Sequence, residues 1–400
     1  MNQMKKATSM FIIILLIVVA GCRGGKQSTD EFITVDVTKS YPKKELILQD
    51  FMDVEYVPLE STDSFLTQGR VLDISKKYIV VKNRWNDGDI FIFDRTTGKG
   101  LKKINRRGEG PEEYRDISEI IIDDDMDEMY VQNLAGSGRI IVYDLNGKFR
   151  RSFVHKQGLQ YAFLHNFDRE NLICYNYTSS VRTSMYQPTF LLLSKRDGSI
   201  TKEIQIPYEK TISTGINVRV GDLGLILSAD RFTITGYFDN WALSIPSSDT
   251  IYRYQPDHTI TPLIIRTPSI QSMAEPKVFL FTWILTDRYY LMEAVKKEYD
   301  LAAKKMSSTD LLYDRQKNAL FEYKIYNNDY ADKKLISLTS PNTTTSPRLL
   351  NGEVSTWQVL EAYELVEAYQ KGELKGKLKE IAAGLEAEDN PVIMLVKHKK

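Results

Sequence analysis

The chain has 400 residues, and its 53 Lys plus Arg balance 53 Asp plus Glu, so no net field favours nucleic acid or a strongly charged surface. The 23 Tyr and 16 Phe suit half-buried strands, and this length exceeds one ordinary core unless the fold is a barrel, a sandwich or a repeat array. Two cysteines, Cys22 and Cys174, exclude a disulfide framework.

Lys5 and Lys6 precede an apolar run from Met10 to Ala20. That run is shorter than the about 20 residues needed to cross a bilayer, so it reads as an export signal. Its end, Val19-Ala20-Gly21-Cys22, resembles a bacterial lipobox. The resemblance implies cleavage after residue 21, lipidation of Cys22 and a membrane anchor. Residues 22–30 then form a polar tether before a folded region over 31–400. Arg23 stands where an inner-membrane retention signal has Asp, which favours the outer membrane. The basic tether favours the periplasmic side, with the cell surface as the alternative.

"FITVDVTK" (32–39) reads as a strand that could pair with the last structural unit and close a ring. "IFIFDRTTGKGLKKI" (90–104) has an alternating apolar run, a polar turn with Gly and a second alternating run, which makes a β-hairpin. "RRGEGPEEYRD" (106–116) follows. It lacks the lysine and helix of a phosphate loop, and Gly108, Gly110 and Pro111 suit a bend between units. Arg107, Glu109 and Tyr114 are its candidates for ligand contact. Next comes a strand pair, "ISEIIIDDDMDEMYVQN", whose turn carries Asp123, Asp125 and Asp127 at calcium-loop spacing. Glu128 replaces the loop's Gly and Leu134 its last Glu, so a solvated turn is expected and calcium is the weaker reading.

Further hairpins are "RIIVYDLNGKFRRSF", "FLLLSKRDGSITKEI", "TIYRYQPDHTITPL" and "LLYDRQKNALFEYKI". Their turns fall near Gly98, Gly147, Gly198, His258 and Asn318, at intervals of 49 to 60 residues. Four strands per interval is one propeller blade, and the folded length holds about six. Cys174 in "NLICYNY" is expected to be a buried, inert thiol. Leu374, Leu378, Ile381 and Leu385 share one face of a predicted amphipathic helix inserted in the last blade, which "EVSTWQVLEA" and "VIMLVK" complete. The fold expected is an all-β six-bladed propeller of four-stranded antiparallel blades.

"DVEYVPLESTDS", "RRGEGPEEY", "SDTIYRYQPDHTITP" and "EDNPVIMLVK" resemble, in order, blocks of the six-bladed β-propeller lipoproteins of Bacteroidota, which are NHL-like in shape. The resemblance implies a propeller on a lipid anchor and no particular reaction.

In such a fold the blade-to-blade crossovers share a face with the loops between the second and third strands. These loops hold Trp85, Tyr177, Arg182, Tyr186 and Trp241, aromatic and donor groups of the kind that recognise sugars and peptides. Four histidines lack zinc-site spacing, and no GxSxG motif occurs. The function expected is a monomeric, non-enzymatic envelope protein that binds a glycan, a peptide or a partner protein on the crossover face. The rival is a metal-assisted hydrolase or lyase with its site in the central channel.

Overall fold

A computed structural model describes residues 32–67, 70–83, 87–133, 138–177, 188–220, 223–229, 231, 233–336, 338 and 353–399. The N-terminal segment supplies β1 (Ile33–Asp36), β2 (Lys43–Ile47), a one-turn helix α1 (Leu48–Phe51) and β3 (Met52–Pro58). Blade 1 is β4 (Arg70–Ile74), β5 (Tyr78–Lys82), β6 (Asp89–Asp94) and β7 (Gly100–Asn105). Blade 2 is β8 (Ile117–Asp123), β9 (Glu128–Asn133), β10 (Arg139–Asp144) and β11 (Phe149–Val154). Blade 3 is β12 (Tyr161–Asn166), β13 (Asn171–Asn176), β14 (Phe190–Ser194) and β15 (Ile200–Ile204). A hairpin, β16 (Gly215–Val220) and β17 (Leu223–Ser228), interrupts the path to blade 4.

Blade 4 is β18 (Ile234–Tyr237), β19 (Asn240–Leu243), β20 (Thr250–Tyr254) and β21 (Ile260–Thr267). Blade 5 is β22 (Val278–Leu285), β23 (Tyr289–Asp300), β24 (Lys305–Asp314) and β25 (Ala319–Asn327), with the short β26 (Lys334–Ile336) beside β25. Blade 6 shows β27 (Val354–Leu360) and β28 (Val392–His398), with β3 as its outer strand. Two helices, α2 (Ala362–Gln370) and α3 (Gly376–Ala382), lie between β27 and β28.

The fold is an all-β six-bladed propeller of four-stranded antiparallel blades. Its burial pattern explains the sequence pattern. Middle strands such as β6 and β14 are covered on both sides and read as unbroken apolar runs. Outer strands such as β11 alternate between covered and exposed positions, with Phe149 and Arg151 half-buried and Phe153 buried. Six hydrophobic clusters correspond to six blade-to-blade contacts. Ile120 and Met129 meet Val80 and Ile92 between blades 1 and 2, and Trp357 and Ile393 meet Val71 and Ile79 between blades 6 and 1. The other four clusters join blades 2 to 3, 3 to 4, 4 to 5 and 5 to 6. The circle is therefore closed by packing.

Ring closure differs from the sequence expectation. β1, within "FITVDVTK", runs parallel to β21 and extends blade 4, with Ile33 opposite Ile264. β2 runs parallel to β25 and extends blade 5, with Lys43 opposite Glu322. Only β3 reaches blade 6, where it pairs antiparallel with β28, Val57 opposite Ile393. The N-terminal segment thus covers the outer edges of three consecutive blades, which removes open strand edges from that side of the wheel.

Innermost strands face the opposite problem, because their inner edge borders the channel. In blades 1, 2, 3 and 5 the first strand carries a register shift against the second. Such bulges re-aim side chains. After its bulge Asp73 accepts the amide of Ile122 in the next blade at 2.7 Å, and Glu119 accepts those of Phe163 and Leu164 at 3.0 and 2.9 Å.

The helical insert also departs from expectation. Leu378 and Ile381 belong to α3, but Leu374 precedes it in a bridge to Tyr330, and Leu385 follows it. Gly372 and Gly376, at φ 72° and 51°, separate α3 from α2, which the sequence reading had not separated. Leu365, Leu374 and Leu378 all face the core between blades 5 and 6.

Candidate functional site: the crossover face

Residues 106–116 connect β7 to β8 and form a self-satisfied turn. The Gly110 amide donates to Glu113 Oε2 at 2.8 Å. A Cβ on Gly108 would stand 1.9 Å from that same oxygen, so the glycine makes room for the carboxylate. Tyr114 is fully buried, not a rim contact; its hydroxyl donates to the Gly88 carbonyl at 2.7 Å and accepts from the Arg106 amide at 2.9 Å. Burial pushes its phenol up to about 12. Arg139 reaches the carbonyls of Pro111 and Gly110, and Tyr143 that of Glu112. Arg107 and Glu109 are exposed, with Glu109 3.3 Å from Arg115.

The other family-like blocks have similar roles. In "YVPLE", Tyr56 donates to Asp329 at 2.7 Å, and Glu60 accepts the Gly100 amide at 2.7 Å. Asp249, of "SDTIY", accepts the Ile270 amide at 2.6 Å. Asn390, of "EDNP", donates to the carbonyls of Glu60 and Phe65 and accepts the Thr67 amide. These blocks hold crossovers and seams together.

The second-to-third-strand loops of blades 1–3 begin and end on this face. Trp85, Arg182 and Tyr186 lie outside the described residues, as does Cys22. Tyr177 is 45% exposed, and its amide donates to the Gln160 carbonyl at 2.8 Å. Trp241 is placed on the opposite side. It lies in β19 one residue past the turn from β18, is 7% exposed, and packs near His165 and Phe167. Blade 4 opens with a strand of only four residues, so its first turn arrives earlier than the sequence pattern suggested.

Sequence reasoning missed a pair at the channel rim. Arg70 heads the innermost strand of blade 1 and lies directly opposite Lys82 on β5. Lys82 is 5% exposed and donates to the carbonyl of Ile117, the head of the innermost strand of blade 2, at 3.0 Å. Burial, reinforced by the Arg70 charge, lowers the Lys82 ammonium below its ordinary value, against the opposing pull of Asp116 and Asp87. The buried Nε of Arg70 has no hydrogen-bond partner among the described residues. Two cations side by side, one with an orphaned donor, form an anion-attracting spot. A cation closing the apolar run "YIVVK" was the available signal, but only the strand register reveals its partner.

The acidic turn of blade 2 lies on the opposite face, and its carboxylates serve neighbouring blades. Asp123 meets Lys195 of blade 3 at 2.6 Å, and Asp124 accepts from Ser75 and the Lys76 amide of blade 1. Among the described residues, no group of three or more His, Cys, Asp or Glu side chains is disposed to hold a metal ion.

The family model described as a domain of unknown function (DUF4934) matches residues 32–397. The chain belongs to the DUF4934 family. Among solved structures, this DUF4934 chain is similar to a candidate exported protein of Bacteroides fragilis NCTC 9343, at 14% identity and TM-score 0.56, over 92% of this chain and 100% of that one. At that identity the likeness concerns the fold. A Bacteroides caccae protein of unknown function (10% identity, TM-score 0.29, 58% of this chain and 73% of that one) scores too low to carry an argument. The same holds for virginiamycin B lyase of Staphylococcus aureus (10% identity, TM-score 0.36, 87% of this chain and 100% of that one). No curated protein matches the chain.

Proposed function

We propose that this DUF4934 protein is an exported lipoprotein, anchored through Cys22 in the outer membrane and facing the periplasm, that captures a carboxylate-bearing glycan or peptide on its crossover face. The observation that carries the reading is the Arg70–Lys82 pair at the channel rim. The guanidinium donor left unpaired among the described residues gains a partner when a carboxylate arrives, and the poorly solvated ammonium, already bonded to the Ile117 carbonyl, gains a second. Tyr177, where the loop after β13 begins on the same face, supplies an adjoining contact, and Trp85 and Arg182 are added on the sequence alone. Arg107 and Glu109 lie on the neighbouring crossover. The signal-like N-terminus and the Bacteroides fragilis neighbour described as a candidate exported protein support the location.

The test is calorimetric titration of residues 31–400 with a uronate oligosaccharide and with its methyl ester. The ester should bind at least about tenfold more weakly, and Arg70→Gln with Lys82→Met should remove that preference, since a charge-assisted contact is worth about 1.5–3 kcal/mol. Equal affinity for acid and ester would overturn the assignment. Lipidation is checked separately by alkynyl-palmitate labelling, which Cys22→Ser should abolish.

A further inference from the structure

On the face opposite the crossovers, blades 2 and 3 share a buried contact of opposite charges. Asp123 ends β8, and Lys195 follows β14 in the turn to β15. Both residues are 6% exposed, and Lys195 Nζ lies 2.6 Å from Asp123 Oδ2. The same nitrogen donates to the Asp168 carbonyl at 2.7 Å. Asp123 Oδ1 accepts the amides of Asp125 and Met126, each at 3.1 Å. Glu128 stands directly opposite Asp123, but Arg151 holds both of its oxygens at 2.6 Å. Asp123 is therefore the one carboxylate that Lys195 meets among the described residues.

These contacts meet the needs of an amide-forming step. A nitrogen this close to Oδ2 leaves the carboxyl carbon about 3–3.5 Å away, a near-attack separation. Burial disfavours the two charges, so one Nζ proton passes to Oδ2 and leaves an amine beside a carboxylic acid. The amine lone pair attacks the carboxyl carbon, and the C=O electron pair moves onto Oδ1. There the two backbone amides receive the charge, as an oxyanion hole does. A second Nζ proton goes to Oδ2, the carbon–oxygen bond breaks, and Oδ2 departs as water. The last N–H, directed at the Asp168 carbonyl, stays with the new amide. The pair Lys44–Asp314, at 2.7 Å, is the contrast. There Lys44 is 18% exposed, and the permanent charge of Arg288, 3.8 Å from the same oxygen, keeps the carboxylate ionised.

We propose that Asp123 and Lys195 join in an isopeptide bond, which fuses blade 2 to blade 3 across 72 residues of chain. Such a link restricts the unfolded chain as a disulfide does, a role that the buried, free Cys174 does not fill. The bond lies away from the channel rim and does not depend on it.

The test is tryptic mapping of the full-length protein by mass spectrometry after denaturation. The bond requires a branched peptide joining residues 116–139 to residues 183–196, one water (about 18 Da) lighter than the two parts together. Trypsin should no longer cut after Lys195. Hydroxylamine, which opens aspartyl succinimides, should leave the link intact. Lys195→Arg keeps the positive charge beside Asp123 and should return the two peptides unlinked. Full-mass, unlinked peptides from the folded wild type overturn the proposal. So does a water loss confined to one peptide, which marks a succinimide, or a link that survives Lys195→Arg, which places the bond elsewhere.

Discussion

Single residues in this propeller are chosen as much by what their neighbours forbid as by what they add. His155, just past β11, is 6% exposed, lies 4.3 Å from the Tyr161 ring and leaves Nε2 without a partner among the described residues. Burial lowers its imidazole from 6.5 to about 4. The folded protein therefore keeps it neutral, while the unfolded chain takes up a proton as pH falls below 6.5. Stability from this residue is complete above about 6.5 and is lost progressively down to about 4. At pH 5 the loss is about 2 kcal/mol. His398, buried beside Phe238, is shifted in the same direction. His155→Phe keeps the ring stack and removes the proton site. Thermal melts at pH 7.5 and 5.0 should therefore show a smaller acid-induced drop in Tm for the variant than for the wild type. Equal drops would mean that the site titrates normally.

At the scale of elements, the hairpin turns explain why the repeat was legible. Gly98, Gly147, Gly198, His258 and Asn318 all have positive φ, from 49° to 79°, so each turn needs a residue that tolerates the left-handed region. Three of these turns also rest on the outer strand of the preceding blade: a Cβ on Gly98 would lie 1.9 Å from the Pro58 carbonyl oxygen, and those on Gly147 and Gly198 would strike Ile104 and Phe153. Gly158 has a similar φ of 83° with nothing within 4 Å. Gly98→Ala should cost about 2–3 kcal/mol and Gly158→Ala about 1, a difference measurable in denaturant melts and assignable to the blade contact. Equal costs would show that the turn yields freely. The candidate site was less legible for a related reason. Turns declare themselves locally, whereas Arg70 and Lys82 are neighbours only through the pairing register. Trp241 reads as a loop residue of the crossover face because a four-residue strand carries too little alternation to fix where its turn begins. Tyr114 looked available because the sequence does not show that Gly88 lies beneath it.

At the scale of the whole molecule, the question is how an open chain of blades becomes a ring. The unit count could be read from the period, but the pairing partner of an N-terminal strand has no local signature. "FITVDVTK" has the composition of a strand whether it joins blade 4 or blade 6. The choice is made by long-range packing: Val35 and Val37 enter the core between blades 4 and 5, while Val57 enters the core between blades 6 and 1. The three N-terminal strands should therefore differ in importance. β1 and β2 only extend blades that are already complete, whereas β3 completes blade 6 and carries the last contact of the circle. A chain starting at Leu48 should still unfold in one cooperative transition, at a lower Tm and with more aggregation from the bared edges of β21 and β25. A chain starting at Leu59 leaves β28 without its outer partner and the sixth core without Val57, so its cooperative transition should disappear. Calorimetry on the two truncations decides the matter. If the shorter chain melts as sharply as the longer one, closure through β3 is not what holds the wheel together.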